Sequence, residues 1–262
     1  MPESKRALIT GGAKRLGRAM ALYAADRGYD VAVHYVGSAS DAEDTADAIR
    51  RKGRQAITVQ ADLLNESETQ TLVQRAAEAL GGPLTLLINN ASIFEHDTHR
   101  NGTRESWDRH MESNLRAPFV LSQAFEAQVP DPVQDDLGEP VAQGLILNMI
   151  DQRVRKLTPH FASYTIAKMG LWALTQTAAQ GFAPRVRVNA IGPGPTLQGE
   201  NQSAEQFSRQ RAATVLKRGA NPADITAALG YFLDASAITG QLLCVDGGQH
   251  LAWETPDVLG VE

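Results

Sequence analysis

A tyrosine and a lysine four apart, Tyr164 and Lys168, follow an aspartate, Asp151, that stands thirteen positions before the tyrosine. These are the residue types that move protons. On successive turns of one helix, Tyr164 and Lys168 share a face. A phenol ionises near ~10, and an ammonium within a few ångströms lowers that by roughly 1–3 units, bringing proton donation within reach of neutral pH. One Y-x-x-x-K is weak by itself, since solvated lysines fall at this spacing by chance. It gains weight from "INNAS" (88–92), from Asn114 in "ESNLRAPF", and from "IGPGP" (191–195).

A second group of residues is suited to holding a phosphate. In "LITGGAKRLGRA" the glycines Gly11, Gly12 and Gly17 lie between an apolar run and a helical pattern, in the spacing TG-x-x-x-x-x-G. A helix N-terminus there offers unpaired N–H groups and a positive dipole end to a pyrophosphate, so a dinucleotide is implied. An acidic residue closing the second strand of such a fold holds a ribose 2′-hydroxyl and repels a 2′-phosphate. Here that stretch is "VAVHYVGS", and His34, Ser38, Lys14 and Arg15 supply donors and positive charge, which favours NADP(H) over NAD(H). Asp62 in "QADL" is placed to accept from an adenine amino group, or to cap the following turn.

The elements that must position these residues alternate in kind. Short β-rich runs ("RALIT", "DVAVHY", "QAITVQ", "LTLLINN") are separated by helical patterns through "LGRAMALYAADRG", "DAEDTADAIRRKG" and "ESETQTLVQRAAEALGG". This predicts an α/β fold: a single Rossmann-like doubly wound parallel sheet with helices on both faces. Gly28 and Gly53 sit where helices should stop in left-handed caps. A long helix is predicted over "RESWDRHMESNLRAPFVLSQAFEAQ", interrupted or bent near Pro118. Residues 129–143, rich in Pro and Asp, read as an exposed loop, and 192–205 as a mobile flap over a site. Between them the sheet resumes with "GLILNMI", a helix from about Ala162 to Gly181, and "VRVNAI". "NPADITAALGYFLD" reads as a capped helix and "GQLLCVDGG" as the last strand. One domain over 1–262 is expected.

Composition sets the bounds. A net charge of -5 gives no long-range attraction for nucleic acid, so an anionic ligand must be held by local basic groups. The single cysteine, Cys244, lies in apolar "QLLCV" and reads as a small buried hydrophobe, which fits a reducing compartment. No stretch approaches the ~20 apolar residues of a membrane span, and "MPESKRALIT" has no signal-peptide core. The expectation is a cytoplasmic protein with no membrane or nucleic-acid partner and no metal.

Together "TGGAKRLG", "NNAS", "YTIAK" and "IGPGP", in this order over essentially the whole chain, resemble the short-chain dehydrogenase/reductase family. The resemblance implies nicotinamide hydride transfer and usually a homotetramer. It implies that Tyr164 is the proton donor, that Lys168 orients the nicotinamide ribose, and that Asn114 supports a water-linked proton path. Asn90 would line the cofactor site and the backbone around Pro193 would meet the carboxamide. The implied cofactor contacts extend to Leu16, Tyr35, Leu63, Ala91, Ser92 and Gly194. The C-terminal end, with His250 and Trp253, packs at subunit interfaces in the wider family.

Two departures narrow the reading. Asp151 replaces the family's usual serine, and Arg15 replaces the middle glycine of the first loop. Both occur in the pteridine-reductase branch, which the chain also resembles in "AKRLGRA", "HY" ending strand two, "ITVQADL" and "NNASIF". The branch's phosphate-binding arginine just before Ser38 is Gly37 here. A pterin presents a ring C=N bond whose nitrogen must gain a proton as the adjacent carbon gains hydride, and an aspartate relays that proton better than a serine. Phe94 would stack on one pterin face, with Ser92 and Arg15 bonding its polar edge. The substrate expected is a dihydropteridine such as dihydrofolate, dihydrobiopterin or dihydromonapterin. The alternatives are a carbonyl or alcohol oxidoreductase of other specificity and a catalytically idle NADP-binding regulator. Enoyl-thioester reduction is disfavoured by the close tyrosine–lysine spacing.

Overall fold

Strands alternate their side chains between two faces, and here both faces are apolar, so both must be covered. In the computed structural model, which describes residues 5–199 and 202–255, Ala7, Ile9, Val31, Val33, Leu86 and Ile88 face one layer of helices. Leu8, Ala32, Leu87, Ile146 and Val188 face the other. The strands are β1 (Lys5–Ile9), β2 (Tyr29–Tyr35), β3 (Ala56–Gln60), β4 (Leu86–Asn89), β7 (Gly144–Met149), β8 (Val186–Pro193) and β9 (Leu242–Val245). They form one sheet in the order β3-β2-β1-β4-β7-β8-β9, and every pairing in it is parallel. Helices α1 (Arg15–Asp26), α2 (Ala39–Arg50) and α8 (Pro222–Asp234) pack on the first face. Helices α3 (Glu66–Ala79), α5 (Ala117–Gln128) and α6 (Ala162–Gly181) pack on the second.

The order reverses between β1 and β4, and a sheet of this kind opens a crevice at the carboxyl ends of the strands flanking such a reversal. The candidate residues other than the C-terminal pair lie at the carboxyl ends of the sheet's strands or on the segments that follow them. Gly28 and Gly53 close α1 and α2 with φ of +87° and +78°, the left-handed geometry expected of them.

Three predicted segments differ in detail. The long helix breaks earlier than expected: α4 (Arg104–Met111) gives way to a π turn over Glu112–Arg116 before α5 begins. Pro118 has no N–H to give the carbonyl four residues back, which is that of Asn114, so the α pattern cannot run through and the turn widens. Loop 129–143 carries a small antiparallel hairpin, β5 (Val133–Gln134) with β6 (Pro140–Val141). The expected flap is shorter than 192–205: β8 runs to Pro193 and α7 (Ala204–Ala212) begins before the segment ends, while residues 200 and 201 lie outside the described residues. No helix among the described residues is long and apolar enough to cross a membrane.

Candidate active site

The glycine loop between β1 and α1 is built so tightly that its glycines have no substitutes. Gly11 has φ +60°, and a Cβ on Gly17 would fall 2.0 Å from the Gly11 carbonyl oxygen. Asn90 fastens this loop to the end of β4: its amide donates to the carbonyls of Thr10 (2.8 Å) and Gly11 (3.2 Å). The Thr10 hydroxyl accepts from the Asn90 and Ala91 amides at 2.8 and 3.0 Å. Lys14 stands at the N-cap of α1 without a side-chain cap, which leaves the first-turn amides to an external anion. Arg15 and Leu16 open that helix. Arg15 holds φ +51° where the left-handed region favours glycine, and its guanidinium donates to the Gln198 carbonyl at 2.9 Å, tying the phosphate loop to the flap.

His34 does not supply charge, contrary to expectation. Its Nδ1 accepts from the Gly11 amide at 3.0 Å and its Nε2–H donates to the Ala61 carbonyl at 2.9 Å. The ring is fully buried, and burial lowers its pKa to about 4. A neutral imidazole therefore shapes the glycine turn from behind. Beyond it, Tyr35 is partly exposed, and the Ser38 hydroxyl caps nothing at the start of α2. Lys14 is paired with Asp41 at 2.9 Å, both half-exposed. The Asp62 carboxylate accepts from the Leu64 amide at 3.0 Å, the capping role foreseen as its alternative, and Leu63 is buried beneath. At the far side Gly194 lies so close to Asp246 that a Cβ there would meet the Asp246 Cβ at 2.5 Å, with Pro193 ending β8 beside it.

The candidate proton-moving residues come together in the structure. The Tyr164 hydroxyl donates to Asp151 Oδ2 at 3.1 Å, and Asp151 Oδ1 accepts from the Arg153 amide at 2.7 Å. Burial, and then the charge and hydrogen bond of Asp151, hold the Tyr164 phenol well above its ordinary pKa. The expected depression by Lys168 is thus not found in this arrangement. Lys168, 2% exposed, donates from Nζ to the Met149 carbonyl at 2.8 Å and lies 5.6 Å from the tyrosine ring centroid. Burial lowers its pKa to about 8, with Asp151 opposing. Burial also raises the Asp151 carboxyl, against the hydrogen bonds and charge around it. A phenol that keeps its proton beside a carboxyl inclined to gain one makes a pair that can hold and release a proton together.

Asn114 lies fully buried in the π turn. Its side chain is spent on Ile93, accepting from that amide at 3.1 Å and donating to that carbonyl at 2.9 Å. It thereby anchors the segment that carries Ser92 and Phe94. Phe94 is 53% exposed and meets the Tyr164 ring edge-on at 4.7 Å. Ser92 is exposed next to it. Asp246 Oδ2 accepts from the His250 amide at 2.8 Å and stands 2.7 Å from its Nδ1, and Trp253 is exposed.

Sequence reasoning missed Phe161 and Arg153. Phe161 has φ +56°, stacks on Phe94 at 4.2 Å with planes 9° apart, and stands at the N-cap of α6. The Arg153 guanidinium covers Phe161, 5.0 Å from its ring centroid. The available signal was the aromatic just before the tyrosine-bearing helix, in "HFASY". Nothing in that stretch announces a left-handed aromatic.

A family model described as Enoyl-(Acyl carrier protein) reductase matches residues 11–250. FolM alternative dihydrofolate reductase 1 from Brucella suis, in a crystal structure with NADP, is 43% identical, covers 98% of this chain and 99% of its own, and superposes with a TM-score of 0.89. The Brucella canis protein of the same description, complexed with NADP, is 42% identical over 97% of both chains with a TM-score of 0.89. A 3-oxoacyl-[acyl-carrier-protein] reductase FabG from Staphylococcus epidermidis is 29% identical over 95% of this chain and 100% of its own length.

Proposed function

Because the chain belongs to the short-chain dehydrogenase/reductase family, we propose that it is an NADPH-dependent reductase of a pterin ring, of the dihydropteridine or dihydrofolate type. The observation that carries this reading is the hydrogen bond from Tyr164 to Asp151, with Phe94 exposed beside it. The likeness to two dihydrofolate reductases crystallised with NADP supports it.

The residues present fit a dinucleotide. The tight Gly11–Gly17 turn lets backbone approach a pyrophosphate, and the uncapped first turn of α1 supplies donors for it. No acid closes β2, and the Lys14–Asp41 bridge is exposed, worth ~0–1 kcal/mol, so Lys14 can turn to a 2′-phosphate. Lys168, charged below about pH 8, has N–H donors beyond the one given to the Met149 carbonyl and would use them to hold the nicotinamide ribose. When bound, NADPH supplies the hydride. The chain supplies the proton: Asp151, partly exposed, takes it from solvent, shares it with Tyr164, and presents it to the ring nitrogen. Phe94 and Phe161 wall the cleft and hold a planar ring in register. Since the Asn114 side chain is spent on Ile93, its part in a water path falls to its carbonyl in the π turn.

The rival reading, carbonyl reduction, has the support of the FabG relative and shares Tyr164 and Lys168. It leaves Asp151 and Phe94 without a purpose. NADPH oxidation followed by absorbance with a dihydropterin, dihydrofolate and a panel of ketones separates the two. Turnover of the pterins is expected; a ketone-only profile rejects the assignment, and tight NADPH binding without any turnover would point to a regulator. A homotetramer is part of the proposal: Trp107 and Phe119 on one side and Tyr231 and Leu243 on another are exposed apolar groups that subunit contacts would bury. Sedimentation at micromolar concentration tests it.

A further inference from the structure

Behind Tyr164 lies a buried polar chain that the reaction above does not use. Asp97, His110 and Ser163 are 3%, 0% and 3% exposed. The Glu95 amide donates to His110 Nε2 at 3.1 Å, and His110 Nδ1 stands 2.7 Å from the Ser163 hydroxyl. A backbone N–H can only donate, so Nε2 carries a lone pair and the imidazole proton sits on Nδ1. Ser163 therefore accepts from His110 and gives its own hydroxyl proton to Asp97 Oδ2. Every bond has one direction, and the histidine is neutral; burial, its largest perturbation, also lowers its pKa.

The chain ends on the helix that carries the proton donor. Phe161, the N-cap of α6, makes no side-chain cap, and Asp97 replaces it from a distance. The Asp97 carbonyl accepts from the Phe161 amide at 2.8 Å and its Oδ1 from the Ser163 amide at 3.2 Å. Ser106 adds a third donor to the carboxylate at 3.2 Å. Burial pushes the Asp97 carboxyl up, but these hydrogen bonds outweigh it and leave the group below its ordinary pKa, so it stays an anion at the helix N-terminus. Around His110 the charged or titratable groups are Asp97 and Glu95 on the cleft loop, Arg109 on its own helix, and Tyr164, whose ring lies 6.0 Å away. Arg109 is itself paired with Glu95 at 2.8 Å.

We propose that Asp97, Ser163 and His110 are positioning residues: one directed chain that sets the Phe94 loop against the first turn of α6, and so fixes Tyr164 relative to the ring it protonates. The two ends govern different steps. The His110–Glu95 end holds the loop that binds the substrate ring. The Ser163–Asp97 end holds the helix turn that carries the acid. The inference rests on the proposed reductase activity for its kinetic readout, and on geometry alone for its physical one.

Two disrupting variants and one conservative rescue test it. In His110→Asn the shorter side chain keeps a donor near Ser163 but no longer reaches the Glu95 amide. It should raise KM for the dihydropterin with turnover at saturation retained, and should speed hydrogen exchange at the Glu95 amide. Ser163→Ala cuts the other link and should lower kcat, by up to about 100-fold if the phenol is displaced by ~1 Å, with KM and NADPH binding retained. Ser163→Thr, which keeps the hydroxyl, should restore most of the loss. Equal kcat and KM losses in both variants that track a fall in melting temperature and NADPH affinity would mean an ordinary structural role and overturn the proposal. Parental kinetics in both would overturn it too. If the unmodified protein reduces ketones and no pterin, the substrate reading fails alone, and the kcat loss in Ser163→Ala is then read with the ketone.

Discussion

Replacing Asp151 with asparagine isolates the proton that the account assigns to it. The carboxamide oxygen can still accept from the Arg153 amide, as Oδ1 does now at 2.7 Å, so the short turn over Gln152–Val154 keeps its cap. What disappears is the titratable group that faces Tyr164 at 3.1 Å. A positioned general acid is worth roughly 10²–10⁴ in rate, and Tyr164 remains as a second donor, so the loss should lie near the lower end. A hundred-fold fall in turnover corresponds to ~2.7 kcal/mol of barrier. The pH profile should change with it. The Asp151 carboxyl, raised by burial, donates only while protonated, so parental turnover should fall as pH climbs through that raised pKa. Asparagine should abolish that limb. It also removes a charge that pushes the Tyr164 phenol up, so the phenol should ionise at lower pH than in the parent. The assay is initial-rate NADPH oxidation with a dihydropterin across the pH range, with NADPH affinity measured alongside. Parental turnover and an unchanged profile in Asp151→Asn would refute the reasoning.

Three further outcomes follow from the same geometry. Tyr164→Phe should cut turnover by roughly 10²–10⁴ and spare NADPH binding, checked by single-turnover rates and fluorescence titration. Phe94→Ala should raise KM for the dihydropterin by about 2–10-fold, the scale of one lost aromatic pair at ~0.5–1.5 kcal/mol, with NADPH affinity unchanged in the same titration. Gly17→Ala places a Cβ 2.0 Å from the Gly11 carbonyl oxygen, a backbone clash that should cost ~1–3 kcal/mol, lower the melting temperature and weaken NADPH binding about ten-fold or more.

The sheet and its helices were legible because their signals are periodic: strands such as "LLIN" at β4 are apolar on both faces, and Gly28 and Gly53 mark helix ends. The meeting of Tyr164 and Lys168 was legible through helix spacing, and Asp151 and Asn114 through resemblance. The roles of single side chains were less so. His34 looked like a donor to a ligand because sequence shows its position at a strand end, not the Gly11 amide that occupies its Nδ1. The pKa of Tyr164 lies in the opposite direction because spacing places Lys168 on the same helix face but shows neither the burial of the phenol nor the Asp151 carboxylate beside it, which together raise it. The π turn was hinted at by Pro118, yet its effect appears one turn upstream, at the carbonyl the proline fails to meet. Phe161 and the Asp97–Ser163–His110 chain were invisible because they join residues up to 67 positions apart, and no local pattern encodes such a pairing.

The most direct test of the central claim is a crystal structure of the protein with NADP and a dihydropterin. The account predicts the ring against Phe94, with the Asp151 carboxyl or the Tyr164 hydroxyl roughly 2.6–3.2 Å from the ring nitrogen that is protonated. A pterin bound elsewhere, or Asp151 turned out of the cleft with that nitrogen facing no acid, would contradict it.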